Sequence, residues 1–346
     1  MVEFTIKELH DMGFLHGLAW FNEDLYRFPL NVKDKLDPNL WEKVTMPSGV
    51  RLKFRTQSDV LIIDAAYLVD NMQEQVSKAA NGFDIYADGE LLQTIAGPIQ
   101  KGPFFGFADL DGTKSMDYEV FLPYHTPIEF KVLVLEYKNR DEEPVLEPSK
   151  SIYEKEGSLV FYGSSITHGS HAQRSGITYP AIISRRLNLD FINLGFGGAG
   201  KGEPEVADLL ADIPEPLMYI LDWGINIWSD EEKDFIYPRY GALIQKLKQS
   251  HPDTPILLVN LQTGGPQGSE GDHMRENIEE IRDEIKRVYD KEIQDGNKLI
   301  FYTDAMDIIN QENISEYTTD RIHPNQAGFI LYANHLTPII KEILEL

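Results

Sequence analysis

The sequence predicts an α/β protein in two parts, a β-sandwich over residues 1–150 and a parallel sheet covered by helices over residues 151–346. Three observations predict it. Before about residue 137, short apolar or alternating runs follow one another with turn signals between them and no long helical period. After about residue 156, apolar runs without alternation take turns with helical spacing, the signature of a parallel sheet buried on both faces. Between the two lies a charged, proline-bearing stretch from Asn139 to Lys150, which reads as a linker.

The elements of the first part are expected at residues 50–55, 59–64, 83–87, 118–122 and 128–136. They are punctuated by Asn81-Gly82, Asp88-Gly89 and Asp111-Gly112. In the second part, strands are expected at 159–162, 190–194, 217–221, 255–260 and 298–302. Helices are expected at 179–187, 204–210, across the amphipathic stretch ending at Lys248, at 276–289 and at 325–344.

Composition narrows the partners. The chain has 346 residues, 32 basic and 56 acidic, for a formal charge of −24, and the acidity runs through both parts. Such a surface repels phosphate backbones and anionic lipid, so neither nucleic acid nor a membrane is an expected partner. There is no cysteine, which excludes disulfides, thiolate metal sites and a cysteine nucleophile. Glu3, Glu8 and Asp11 stand where a secretory signal would be basic and then apolar, so a cytoplasmic location is expected.

The polar signals collect where strands end. In an open parallel sheet, ligands bind beyond the carboxyl ends of the strands. Gly163-Ser-Ser-Ile-Thr-His-Gly169 follows the first strand, Gly195-Phe-Gly-Gly-Ala-Gly200 the second and Asp222-Trp-Gly-Ile-Asn226 the third; Asp320-Arg-Ile-His-Pro-Asn325 precedes the last helix. Together these offer a hydroxyl, a flexible turn rich in N–H groups, a side-chain amide, and a carboxylate with an imidazole. Those are the parts of a serine acyl-transfer site. Asp320 and His323 lie three apart in a turn, close enough for the carboxylate to reach Nδ1 and leave Nε2 to the serine. Taken singly, each residue has a plainer reading as a cap or turn former. Their joint occurrence at successive strand ends carries the inference.

In that order and at those separations, GSSITHG, NLGFGGAG, LDWGIN and DRIHPN resemble the four sequence blocks of the SGNH (GDSL-like) hydrolases. Gly82-Phe-Asp-Ile-Tyr86 resembles the Gly-x-Asp-Leu-Tyr motif of a branch in which a β-sandwich precedes the catalytic domain. The resemblance implies a three-layer α/β/α sandwich of flavodoxin-like kind over 151–346, preceded by a jelly-roll-like sandwich. It implies ester hydrolysis without a cofactor or metal. Carried over by position, Ser165 is the nucleophile, and Asp320 and His323 complete a triad. The Ser165 N–H, the Gly198 N–H and the Asn226 amide form the oxyanion hole. The family's first block usually reads Gly-Asp-Ser, whereas this chain has Ser164 in place of the aspartate.

Other readings use the same residues. Gly195, Gly197 and Gly200 after a strand, with Asp222 about twenty residues on, outline a dinucleotide fingerprint with Asp222 on the ribose. That reading leaves Ser165 and His323 without roles. His168 and His171 form a His-x-x-His pair without a carboxylate at zinc-like spacing, so a metal is not expected. His168, three residues after Ser165, is a candidate substrate contact. The substrate expected is a short-chain, acetyl-type ester, on a small molecule or a carbohydrate. An acyltransferase with the same site, and a carbohydrate-binding or interaction protein with an inert hydrolase domain, are the competing functions.

Overall fold

The computed structural model describes residues 1–70, 81–150, 153–227, 230–265 and 267–346. The chain sorts into two units. The first comprises Met1–Asn31, Val44–Glu154 and Ala172–Ile177; the second comprises Val32–Lys43, Lys155–His171 and Thr178–Leu346. The cut expected at 150/151 is thus crossed twice, by two short segments that pack with the other unit.

The first unit holds two antiparallel sheets. Its strands are β1 (Val2–Thr5), β2 (Leu15–His16), β3 (Arg51–Thr56), β4 (Val60–Tyr67), β5 (Phe83–Ala87), β6 (Glu90–Ile95), β7 (Gly102–Asp109), β8 (Met116–Phe121) and β9 (Ile128–Glu136). One sheet runs β1-β9-β4-β7, the other β2-β3-β8-β5-β6. Alternation sets the inward face: Leu61, Ile63, Ala65 and Tyr67 of β4 are buried, and the residues between them are not. They meet Leu52, Phe54, Ile85, Val120, Leu133 and Leu135 in one core, each such side chain contributing roughly 1.5–3 kcal/mol by leaving water. Four strands lie outside the expected set, β1, β2, β6 and β7. Glu3 and Glu8 belong to ordered structure: β1 pairs with β9, and Thr5 and Glu8 form a reciprocal cap on the helix Ile6–Asp11. The stretch expected as a linker is bound to the sandwich, since Glu147 pairs with Arg55 through both backbone hydrogen bonds, at 2.7 and 2.9 Å.

The Gly82–Tyr86 motif has a structural explanation within this unit. Asp84 is fully buried and accepts from the Arg174 guanidinium (2.9 Å), the Gly176 N–H (2.8 Å) and the Thr94 hydroxyl (2.6 Å). The Tyr86 hydroxyl bonds the same Arg174 and the Gly176 carbonyl. A buried carboxylate needs this many donors to offset its lost hydration, and the result ties residues 172–177 to β5.

The second unit is built on β10 (Ser158–Gly163), β11 (Asp190–Gly195), β12 (Pro216–Asp222), β13 (Ile256–Asn260) and β14 (Ile300–Asp304), parallel throughout, in the order β11-β10-β12-β13-β14. Residues 256–260 are buried without a break, as both-face coverage requires. The helices Tyr179–Leu187 and Gln326–Ile343 pack on each other; Pro204–Ala211, Ile236–Ser250 and Ser269–Gln294 pack in series. Helix Ser269–Gln294 exceeds its expected 276–289 at both ends. Only Met274, Ile278, Ile281, Ile285 and Val288 carry the apolar period, and the flanking turns are charged. This is the three-layer α/β/α arrangement with an N-terminal β-sandwich. The chain leaves β10 to one side for β11 and then returns past it for β12, so the order reverses at the carboxyl end of β10. There an open α/β sheet forms its crevice. Among the described residues, no helix is long and apolar enough to cross a membrane.

Candidate active site

Ser165 stands two residues beyond the end of β10, at the first position of the short helix Ser165–His168. Ser164 caps that helix, its hydroxyl accepting from the Ile166 N–H at 3.2 Å. This is the work of the residue that replaces the family's aspartate. The helix closes at Gly169, whose φ of 103° needs a residue without a Cβ. Packing beneath it is tight: a Cβ on Gly195 would lie 2.1 Å from the His168 backbone nitrogen.

Ser165 is 7% exposed, and its Oγ lies 2.9 Å from His323 Nε2. His323 Nδ1 lies 2.7 Å from Asp320 Oδ2. Because a carboxylate only accepts, Nδ1 carries the ring proton, and Nε2 is free to accept from the Ser165 hydroxyl. The turn itself presents the acid: Asp320 Oδ1 accepts from the backbone N–H groups of His323 (2.7 Å) and Ile322 (3.0 Å). Partial burial alone would raise the Asp320 carboxyl, but the hydrogen bonds from the His323 ring and backbone outweigh it and hold the group well below its usual range. Downstream, Asn325 caps the last helix by accepting from Gly328 N–H at 3.1 Å. In the block Asp320–Asn325, then, two residues serve the cluster and the final one starts a helix.

The glycine turn comes alongside. A Cβ on Gly197 would sit 3.3 Å from Ser165 Cβ, and Gly198 has φ 69°. Neither the Ser165 N–H nor the Gly198 N–H donates to an acceptor among the described residues. Unpaired backbone donors at a near-buried site are uncommon, and two beside one hydroxyl suit an arriving oxyanion. Asn226 is near them with a different partner set from the one expected. Its Nδ2 donates to the carbonyls of Phe196 (3.2 Å) and Gly200 (3.1 Å), which bracket the turn.

The geometry bears on three readings of the sequence. His168, a candidate substrate contact, is 1% exposed and offers substrate no surface. Asp222 cannot hold a ribose: it is 3% exposed and accepts from the Tyr179 hydroxyl (3.0 Å) and the Thr167 hydroxyl (3.1 Å), so the dinucleotide reading lacks its acidic ligand. Burial pushes the Asp222 carboxyl up to about 7, against the pull of those two hydroxyls. The third reading concerns the His168/His171 pair, and His171 has a carboxylate neighbour that is distant in sequence. Its ring lies on that of His323, centroids 4.6 Å apart and planes 5° from parallel, with Nε2 3.9 Å from Asp320 Oδ2. By donor type His171, Asp320 and His323 suit a divalent ion. But imidazole lone pairs lie in the ring planes, and two stacked planes cannot both point at one ion without a ring turning.

One residue of the site has no local signal in the sequence. Asn39 donates from Nδ2 to the Gly198 carbonyl at 3.3 Å, and its segment, Val32–Lys43, sorts with the second unit. Nothing in Asp37-Pro-Asn-Leu-Trp41 marks it beyond a helix start.

Residues 156–341 match the GDSL-like lipase/acylhydrolase family, and residues 4–137 match the N-terminal region of SGNH-hydrolase-type esterases that carries the GxDLY motif. A Bacteroides ovatus protein assigned to the GDSL-like lipases is similar over 99% of this chain and 98% of its own, at 26% identity and a TM-score of 0.82. The salicylyl-acyltransferase SsfX3 of a tetracycline biosynthetic pathway shares the fold over 96% of this chain and 94% of its own (21% identity, TM-score 0.81). A family two carbohydrate esterase of Clostridium thermocellum, solved with cellohexaose, shares it over 86% and 93% (17% identity, TM-score 0.64). No curated protein matches the chain significantly. With the family match spanning more than half of its length, the chain belongs to the GDSL-like lipase/acylhydrolase family and is a serine hydrolase acting on ester bonds.

Proposed function

We propose that this enzyme hydrolyses short-chain, acetyl-type esters carried on carbohydrate, through an acyl-enzyme on Ser165. The observation that carries the mechanism is the continuous path from Ser165 Oγ through His323 to Asp320, with contacts of 2.9 and 2.7 Å. His323 Nε2 takes the hydroxyl proton as Oγ attacks the ester carbonyl. The carbonyl oxygen, now an oxyanion, accepts from the N–H groups of Ser165 and Gly198. Asn226 joins them when its amide turns from one of the carbonyls it holds. The C–O bond to the alcohol breaks, and the protonated His323 returns the proton to the departing oxygen. Water then repeats the sequence on the acyl carbon and frees the serine.

The carbohydrate ester is supported by the carbohydrate esterases among proteins of this fold, and the short acyl group by the absence of a long apolar lid in the sequence. Ser165→Ala is expected to lose nearly all hydrolysis of p-nitrophenyl acetate, by ~10⁶ as in other serine enzymes. A variant as fast as wild type would remove Ser165 from the reaction. Release of acetate from an acetylated sugar tests the substrate class, and cleavage of long-chain esters alone would refute it. A second reading, an acyltransferase that replaces water by another alcohol, is favoured by the end-to-end likeness to SsfX3. Product analysis with an added acceptor alcohol decides between the two. An inert, carbohydrate-binding protein predicts no adduct with a fluorophosphonate.

A further inference from the structure

We propose that His171 is a positioning residue for His323, its ring face holding the imidazole in the plane from which it receives the Ser165 proton. This rests on the relay of the preceding subsection. The two hydrogen bonds of His323 leave from its opposite nitrogens, to Ser165 and to Asp320. Both act at the ring edge and in its plane. They fix where the ring edge sits but resist tilting of the ring out of that plane only weakly. A contact on the face blocks this motion, and His171 supplies one, parallel to within 5°.

The backbone is an independent observation. His171 has φ 70°, a left-handed conformation that glycine or asparagine adopts more easily. Non-glycine residues stay in such conformations when their surroundings over-determine them. What holds His171 is the turn that carries the acid and base. Its Nδ1 is hydrogen-bonded to Thr319 Oγ1, its Nε2 is 3.9 Å from Asp320 Oδ2, and its face lies on His323. The residue thus ties the segment after the nucleophile to the turn that serves it. Burial, then the neighbouring His323, disfavour protonation of His171, with Asp320 opposing. A neutral ring therefore faces His323 when the latter becomes an imidazolium, and no like charge opposes it.

The test compares His171→Asn, which relieves the backbone but removes the ring face, with His171→Phe, which keeps the face. Turnover of p-nitrophenyl acetate and the melting temperature are measured for both, with Ser165→Ala as control. The Asn variant is expected to melt no lower than wild type, with kcat reduced ~10- to 10²-fold and KM within about twofold, as misplacement without lost binding requires. The Phe variant should recover kcat to within about threefold of wild type. His171→Tyr replaces it if the Phe variant does not melt cooperatively. An Asn variant as fast as wild type, or an aromatic variant as slow as Asn, overturns the proposal. If Ser165→Ala itself keeps full activity, the relay is wrong; if it is inactive and His171→Asn is not impaired, only the role of His171 fails.

Discussion

At the scale of single residues, the proposed site separates groups assigned to react from groups that hold them. Asp320 receives three hydrogen bonds, one from the His323 ring and two from backbone N–H groups. Its carboxyl stays ionised across the range in which a histidine titrates. Asp320→Asn should leave the turn folded but remove the acceptor that fixes the His323 tautomer. A loss in kcat of ~10³–10⁴ is expected, with labelling by a fluorophosphonate slowed in parallel. Loss of less than about tenfold would mean that the carboxylate does not orient the ring. The cluster of Ser165, His323 and Asp320 was legible in the sequence because Ser165 opens a helix just past a strand and the other two share the turn before the last helix. Asn39, His171 and the alternative partners of Asn226 were not. Their roles depend on which distant backbone comes alongside, and no local pattern encodes that. His168 misled for the opposite reason: nearness in sequence to Ser165 puts it on a four-residue helix whose next turn is already buried.

Among the elements, the short helix Ser165–His168 is supported by a buried polar clamp. Asp222 at the end of β12 accepts from Thr167 on that helix and from Tyr179 at the start of the following one. A carboxyl raised from about 4 in the unfolded chain to about 7 here keeps its proton on folding. Its contribution to stability is complete below pH ~4 and is lost as pH rises to ~7. Asp222→Asn cannot titrate, so its melting temperature minus that of wild type should grow over that interval and then level. A difference independent of pH would place the carboxyl outside this linkage. Strands were read well where alternation or unbroken apolar runs are long, as in β4, β9 and the five strands of the parallel sheet. Strand β7, Gly102-Pro-Phe-Phe-Gly-Phe-Ala-Asp109, escaped because glycine and proline interrupt it and because, at the sheet edge, Phe105 and Phe107 point outward.

For the whole molecule, the two units are not separable by one cut. Val32–Lys43 sorts with the second unit and carries Leu40 and Trp41, which are 1% and 8% exposed. A fragment of residues 151–346 lacks this segment and with it Asn39. It should melt lower than the full chain and bind more of a hydrophobic dye, because apolar surface normally covered is exposed. A fragment as stable and as active as the full chain would show that the segment is dispensable. The division into a β-rich and an α/β part was readable from periodicity. The interleaving was not, since both crossing segments look like ordinary loops and short helices in their own neighbourhoods.

The serine and the imidazole that faces it are separated by 158 positions along the chain. During synthesis, therefore, the alcohol emerges long before the imidazole that the proposed relay assigns as its base. An unfinished polypeptide carries the hydroxyl just past β10 without the His323 imidazole, until the penultimate stretch of the domain has left the ribosome and folded back. On the proposed relay, hydrolytic competence therefore waits for the segment that carries His323, and a nascent polypeptide without that segment is not expected to cleave esters.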